Sequence, residues 1–228
     1  IVETAGRSPE PFMELFNEYG VKVIHKCTSI RHALKAQSVG VSAITIDGFE
    51  CAGHPGEDDI PSLVLLPQAA EALDVPVAGC GGFSDSKSLV AALALGGEAI
   101  VMGTRFMATK EAGIHQNVKD IMTEADERST NLMFRTMHNT ARVFKNSISD
   151  QVVEIESTGT ASFEDVKDLV AGQRGRVVFE EGQMEHGIWS AGISVARVKD
   201  IPTCDEMVSR LVSGAEDIID GRLQQIKA

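Results

Sequence analysis

The pattern that most limits what this chain can fold into is a five-fold alternation of a short β-branched run with a stretch of helical periodicity. Strand-like runs fall at Ile1–Thr4, Val21–His25, Val41–Ile46, Val75–Ala78 and Ala99–Met102, at intervals of about 20 to 35 residues. Ser8-Pro9-Glu10 reads as a helix start, and Phe12, Leu15, Phe16 and Tyr19 follow at helical spacing until Gly20. A helix from about Thr28 places Ile30, Ala33 and Leu34 on one face, the next runs through Leu63, Leu66, Ala70 and Leu73, and a fourth covers Ser86 to Leu95. Strands joined through helices lie parallel, with the helices outside. Five strands are too few to close a barrel. Two architectures remain: an eight-stranded barrel with about three leading units absent and its first and fifth strands as bare edges, or an open doubly wound sheet.

Beyond about Ala112 the rhythm is lost. Residues 114–182 read as helices, a second and mostly helical domain inserted before Val177–Phe179. Gly187-Ile188-Trp189-Ser190-Ala191-Gly192 forms a glycine-bounded loop around the sole tryptophan. A last helix from about Cys204 carries Met207, Leu211, Ala215, Ile218, Ile219 and Leu223 on one stripe, ready to dock on a barrel or a partner. The expected organisation is residues 1–112 as the C-terminal part of a βα barrel, 113–200 as a helical lid over the substrate, and 201–228 as a helix packed on the barrel. The first residue stands in mid-strand with no initiator methionine, so the chain is expected to begin partway through a longer protein.

A net charge of −12 over 228 residues repels phosphate backbones and anionic membranes, and no apolar run is long enough to span a bilayer. Cys27, Cys51, Cys80 and Cys204 are far apart and lack metal-ligand spacing, which reads as four reduced thiols in a cytoplasmic protein.

Chemistry concentrates at the ends of the strands. Ala43 to Asp47 is a buried-strand pattern that breaks into Gly48-Phe49-Glu50-Cys51-Ala52-Gly53-His54-Pro55-Gly56, presenting His54 where parallel α/β folds bind ligands. His54 is either a working imidazole or a turn-bonding one. Gly79-Cys80-Gly81-Gly82 and Met102-Gly103-Thr104 end consecutive strands; they suit backbone approach to a phosphate, and tight turns also explain them. Lys26 closes the second strand, where a cation can stabilise an anionic ring or phosphate. Glu57-Asp58-Asp59 reads as charge at the N-terminus of the following helix rather than as metal ligands. Arg135, His138, Arg142 and Lys145 share one face if they are helical, a basic stripe that is solvated or meets an anionic cosubstrate.

Together, His25-Lys26-Cys27-Thr28, Asp47 to Asp58, Gly81-Gly82-Phe83, Met102-Gly103-Thr104-Arg105-Phe106 and Gly187 to Gly192 resemble the nitronate monooxygenase family, formerly 2-nitropropane dioxygenases. The His54 loop and Asn139-Thr140-Ala141-Arg142 are most similar to its NAD(P)H:quinone reductase branch. The resemblance implies an FMN-binding TIM barrel, present here as about five of eight βα units, with a smaller helical domain. It implies that Lys26, Ala52, Gly53, Gly81, Gly82, Gly103 and Thr104 hold FMN, with His54 as the catalytic residue above its reactive face. The family's opening strands, which bring a Q-G-G-M-like loop and an asparagine to the flavin, have no counterpart here. The expected activity is oxidation of a nitronate or nitroalkane, or of NADH or NADPH as cosubstrate, with O2 or quinone as acceptor. Partners are then small molecules, with homo-oligomerisation left open. A strict NAD(P)H:quinone reductase, a non-redox phosphate-binding barrel enzyme and an inactive fragment are the alternatives.

Overall fold

A computed structural model of the chain describes residues 1–226. By internal contacts it divides into two units, one of residues 1–50, 59–101 and 214 onward, the other of residues 51–58 and 102–213.

The first unit is built on a parallel sheet of β1 (Val2–Ala5), β2 (Val23–Cys27), β3 (Ala43–Asp47), β4 (Val77–Cys80) and β5 (Ala99–Val101), in the order 1-2-3-4-5. Between them lie α1 (Glu10–Glu18), α2 (Ile30–Ser38), α3 (Ser62–Ala72) and α4 (Ser86–Ala94). A doubly wound sheet reverses its strand order at a switch point, and here every crossover steps the same way. The sheet is therefore the wall of a βα barrel, and the open doubly wound alternative is set aside.

Pairing in register puts Val23, Ile44, Ile46 and Val77 on the helix-covered face, where they form one core with Met13, Ala33, Ala36, Leu65, Leu66, Ala69 and Ala92. Each large aliphatic side chain buried in this way contributes about 1.5–3 kcal/mol. The periodic residues of α1 do not all point inward as expected. Met13 is buried and Phe16 packs on the core, while Phe12, Leu15 and Tyr19 are exposed.

The middle strands begin about two residues later than the apolar runs that announce them. Val21 N–H donates to Phe16 O (2.8 Å) and Val41 N–H reaches Ala36 O (3.5 Å), so the first valine of each run closes the preceding helix instead of joining the ladder. The same shift carries β2, β3 and β4 past their expected ends and makes Lys26, Asp47 and Cys80 strand residues.

The second unit holds α5 (Thr104–Met107), α6 (Gln116–Glu124), β6 (Thr130–Met133), β7 (Ala141–Phe144), α7 (Ser147–Glu156), α8 (Phe163–Val166), α9 (Gly172–Glu181), a 3-10 turn Ile193–Arg197 and, up to Ser213, α10 (Cys204–Asp217). The antiparallel pair β6–β7, with Thr130 opposite Phe144, corrects the expectation that 114–182 is helical throughout. Each strand has four residues, and β7 is buried along its whole length, so neither shows alternation. Val177–Phe179 lies inside α9. Trp189 stacks on Phe144 with ring centroids 4.5 Å apart, edge-on to Phe179, at the centre of this unit's core.

The helix α10 runs on as a π-helix, Ile218–Leu223, which packs on α4 in the first unit. The last two residues of the expected 201–228 segment lie outside the described residues.

Candidate functional site

In the first unit, the sheet face opposite the helices carries polar side chains at the C-terminal ends of the middle strands, among apolar ones such as Ile24, Ala43 and Ala78. Register places Lys26 beside Thr45, and Asp47 beside Cys80, on that face. Lys26 Nζ is 3.4 Å from Glu3 Oε1, with 27% of its side chain exposed. Thr45 is 0% and Asp47 7% exposed, yet Thr45 Oγ1 and Asp47 Oδ1 have no hydrogen-bond partner among the described residues. A buried polar atom left unpaired costs about 1–3 kcal/mol, and two of them two residues apart on one face mark a surface shaped for a polar ligand.

The charges respond accordingly. Burial opposes the charge on Lys26, but Asp47, Cys80 and Glu3 outweigh it and raise this lysine above its ordinary value. Burial pushes the Asp47 carboxyl up, against the lowering pull of the Cys80 hydrogen bond and of Lys26. Lys26 is thus firmly cationic, and Asp47 is the member that holds a proton more readily. On the opposite face, burial and then Asp47 push the Cys27 thiol up to about 12, so it is inert at neutral pH.

Gly81 and Gly82 follow β4 with φ of 89° and 84°, two consecutive left-handed residues that a side chain would strain. Ser62 Oγ donates to Gly81 O (2.7 Å). The Ser62 N–H and Oγ both donate to Glu50 Oε2, at 2.9 and 3.0 Å. Glu50 therefore supplies a carboxylate at the N-terminus of α3, and Glu57, expected there with Asp58 and Asp59, is bonded to Thr140 instead.

In the second unit, residues 51–58 form a loop bonded to β7. Gly53 and Arg142 exchange backbone hydrogen bonds, Gly53 N–H to Arg142 O at 3.0 Å and Arg142 N–H to Gly53 O at 2.6 Å. Thr140 donates its N–H to Glu57 Oε1 (2.8 Å) and its hydroxyl to Glu57 Oε2 (2.6 Å). His54 lies between these anchors, exposed and with no hydrogen bond among the described residues. It is not the turn-bonding histidine of the alternative reading. Ala52 is half-buried in the same loop.

Gly103 precedes α5 with an ordinary φ of −91°, and a Cβ there would meet no atom within 4 Å. Thr104 Oγ1 accepts from Gly192 N–H at 2.9 Å, which ties α5 to the tryptophan loop and leaves the hydroxyl hydrogen to donate elsewhere. Arg105 is buried against Asp200, at 2.8 Å.

The expected basic stripe does not exist. Arg135 and His138 lie in the turn between β6 and β7, Arg142 is on β7 and buried, and Lys145 follows it. That turn is held by the Glu156 carboxylate, which accepts from Phe134 N–H (2.7 Å) and the Thr136 hydroxyl (3.0 Å). No cluster of three or more His, Cys, Asp or Glu among the described residues could hold a metal ion, and none of their helices is long and apolar enough to cross a membrane.

Sequence reasoning missed Thr45, Asp47, Glu50, Glu57 and Thr140. The only available signal was a polar alternation, Thr45 and Asp47, inside an otherwise apolar strand.

A model of the nitronate monooxygenase family matches residues 1–214. The chain is 27% identical, over 88% of its length, to the curated (3aS,4S,5R,7aS)-5-hydroxy-7a-methyl-1-oxo-octahydro-1H-indene-4-carboxyl-CoA dehydrogenase of Rhodococcus jostii (strain RHA1). It is 26% identical, over 92% of its length, to a "probable nitronate monooxygenase" of Bacillus subtilis (strain 168). It spans 66% and 61% of those two proteins, under two thirds of either. The structure of FabK from Thermotoga maritima superposes with a TM-score of 0.91 at 25% identity, covering 99% of this chain and 70% of that one. With the family model running from the first strand into α10, and with a like fold in FabK, the chain belongs to the nitronate monooxygenase family.

Proposed function

We propose that the protein containing this chain is an FMN-dependent oxidoreductase that takes electrons from a nitronate or from NAD(P)H and passes them to O2 or a quinone. The observation that carries this reading is the C-terminal end of that sheet face, where a firmly charged lysine stands beside two buried atoms with no hydrogen-bond partner among the described residues. Those residues fit a flavin. Its ring edge carries both N–H and carbonyl groups, so Asp47 Oδ1 could accept from it, the Thr45 hydroxyl could donate to it, and Lys26 could stabilise negative charge on the ring. Gly81, Gly82, Gly103 and Thr104 would hold the phosphate by their backbones, and Ala52 and Gly53 would complete the holding set. When bound, FMN supplies the two-electron chemistry.

The chain's own part in the reaction falls to His54. As an imidazolium it stabilises the negative oxygen of a nitronate, and as a neutral base it removes the carbon-bound proton of a nitroalkane. Toward a quinone it donates a hydrogen bond or a proton to the oxygen. Pyridine nucleotide is the donor we favour. The two stretches most similar to the NAD(P)H:quinone reductase branch, the His54 loop and residues 139–142, are bonded to each other through Gly53–Arg142 and Glu57–Thr140.

The test is anaerobic rapid mixing of the whole protein with NADH, NADPH and a nitronate, following the flavin absorbance. Bleaching by a pyridine nucleotide supports the reductase reading, and bleaching by the nitronate alone moves the protein to the wider family activity. No bleaching by any of the three rejects both.

A further inference from the structure

We propose that Glu57, acting through Thr140, is a positioning residue for His54. This rests on the reading that His54 acts on the substrate. Residues 51–58 lie in sequence between a sheet strand and a sheet-packed helix, yet they are bonded into the second unit. Two of its anchors flank His54. Before His54, Gly53 is paired in both directions with Arg142 of β7. After it, both oxygens of the Glu57 carboxylate are taken by the N–H and hydroxyl of Thr140, a residue 1% exposed. Between the anchors come a buried proline, Pro55, and Gly56 with φ of 87°.

The imidazole itself has no hydrogen bond among the described residues, so nothing at its ring nitrogens orients it. Its place is set by the backbone beneath it, and that backbone is fixed on its C-terminal side by one carboxylate. Bonds to an ionised acceptor are short and about twice as strong as neutral ones. Thr140 sits one residue from β7 and two from Arg142, so the two anchors share one rigid strand end. A working side chain on a loop needs such support, because misplacement by about 1 Å costs roughly 100-fold in rate.

The experiment is a double-mutant cycle on the whole flavin-loaded protein, reading the limiting rate of anaerobic flavin reduction, the half-saturating donor concentration and the flavin content. Glu57→Ala is expected to lower the limiting rate by roughly 10- to 100-fold with flavin content kept and half-saturation little changed. Glu57→Gln, which still offers Thr140 an acceptor, recovers most of the rate, and Thr140→Val, which removes only the hydroxyl bond, falls between. In a His54→Asn background Glu57→Ala adds no further loss. If it slows the His54→Asn protein by the same factor as the wild type, Glu57 is merely structural and the proposal is wrong. It is also wrong if Glu57→Ala keeps the wild-type rate while His54→Asn is slow. A His54→Asn protein with wild-type rate removes the underlying reading, and the positioning role with it. Should Glu57→Ala lose its flavin or fail to fold, Glu57→Gln and Thr140→Val run through the same cycle with the same criteria.

Discussion

Two glutamates seven residues apart do the same thing to different parts of the molecule. Glu50 accepts from the N–H and hydroxyl of Ser62, and Glu57 from the N–H and hydroxyl of Thr140. The first caps α3 inside a unit whose sheet and helices already share one large core. The second, with the Gly53–Arg142 pair, anchors the loop that carries the exposed His54. The carboxylate chemistry is alike, but what it restrains is not. Around Glu50 the restraint adds to packing and serves stability; around Glu57 the role we propose for it is orientation. Substitutions should therefore divide by region, with melting temperature responding in the first and rate in the second.

The largest effect on stability is expected just after β3. A Cβ on Gly48 would overlap the backbone and Oγ of Ser62, so Gly48→Ala should destabilise by about 3 kcal/mol, read from denaturant unfolding. A variant as stable as wild type would mean that the Ser62 region is loose, which breaks the contrast at its rigid end. Glu50→Ala comes next, at about 1–2 kcal/mol, because it leaves the first N–H of α3 without its acceptor, while the Ser62 hydroxyl keeps Gly81 O. Glu57→Ala in the same assay should cost less, about 1 kcal/mol or below, since Glu57 is exposed and water can take the place of its carboxylate. Equal losses for the two glutamates would erase the distinction.

Gly103→Ala sharpens it from the other side. The backbone there is ordinary and a Cβ has free space, so the melting temperature of the flavin-free protein should not move, while flavin content after desalting should fall. The smallest effect is a pH slope. Asp47 is raised by burial, so the folded chain holds this proton more tightly than the unfolded one. Its contribution is present below the ordinary aspartate value of about 3.9 and is lost as pH rises through the raised folded value. In flavin-free protein, Asp47→Asn should gain stability relative to wild type as pH climbs through that window, and a constant difference would contradict the assignment.

Much of the barrel wall was legible because a parallel sheet with helices on one face writes itself twice, in β-branched runs and in amphipathic periods. Where strands start was less so: Val21 and Val41 are as apolar as strand residues, and only the helix end they close shows that they are not in the ladder. The turn between β6 and β7 was read as helix because Arg135, His138 and Arg142 happen to share helical spacing. Phe134 and His138 stand at positive φ instead, in a turn whose Phe134 N–H and Thr136 hydroxyl donate to Glu156 of another element, and no local pattern encodes that. Of the site, the glycines and His54 show in sequence because they interrupt structure. Thr45 and Asp47 were hidden inside a strand, and Glu57 looked like one of three equivalent acids until Thr140 was seen to bind it.

The central claim is that the unpaired polar atoms on the sheet face exist for the flavin, and Thr45→Val tests it most directly. Valine keeps the branched shape and removes only the buried hydroxyl. The account expects opposite signs in two measurements on one variant: flavin-free protein melts higher, by about 1 kcal/mol in stability, while FMN titrated into it binds roughly 5- to 10-fold more weakly than to wild type. A variant that melts lower and binds FMN with wild-type affinity would show that the hydroxyl serves the protein and that the flavin does not need it.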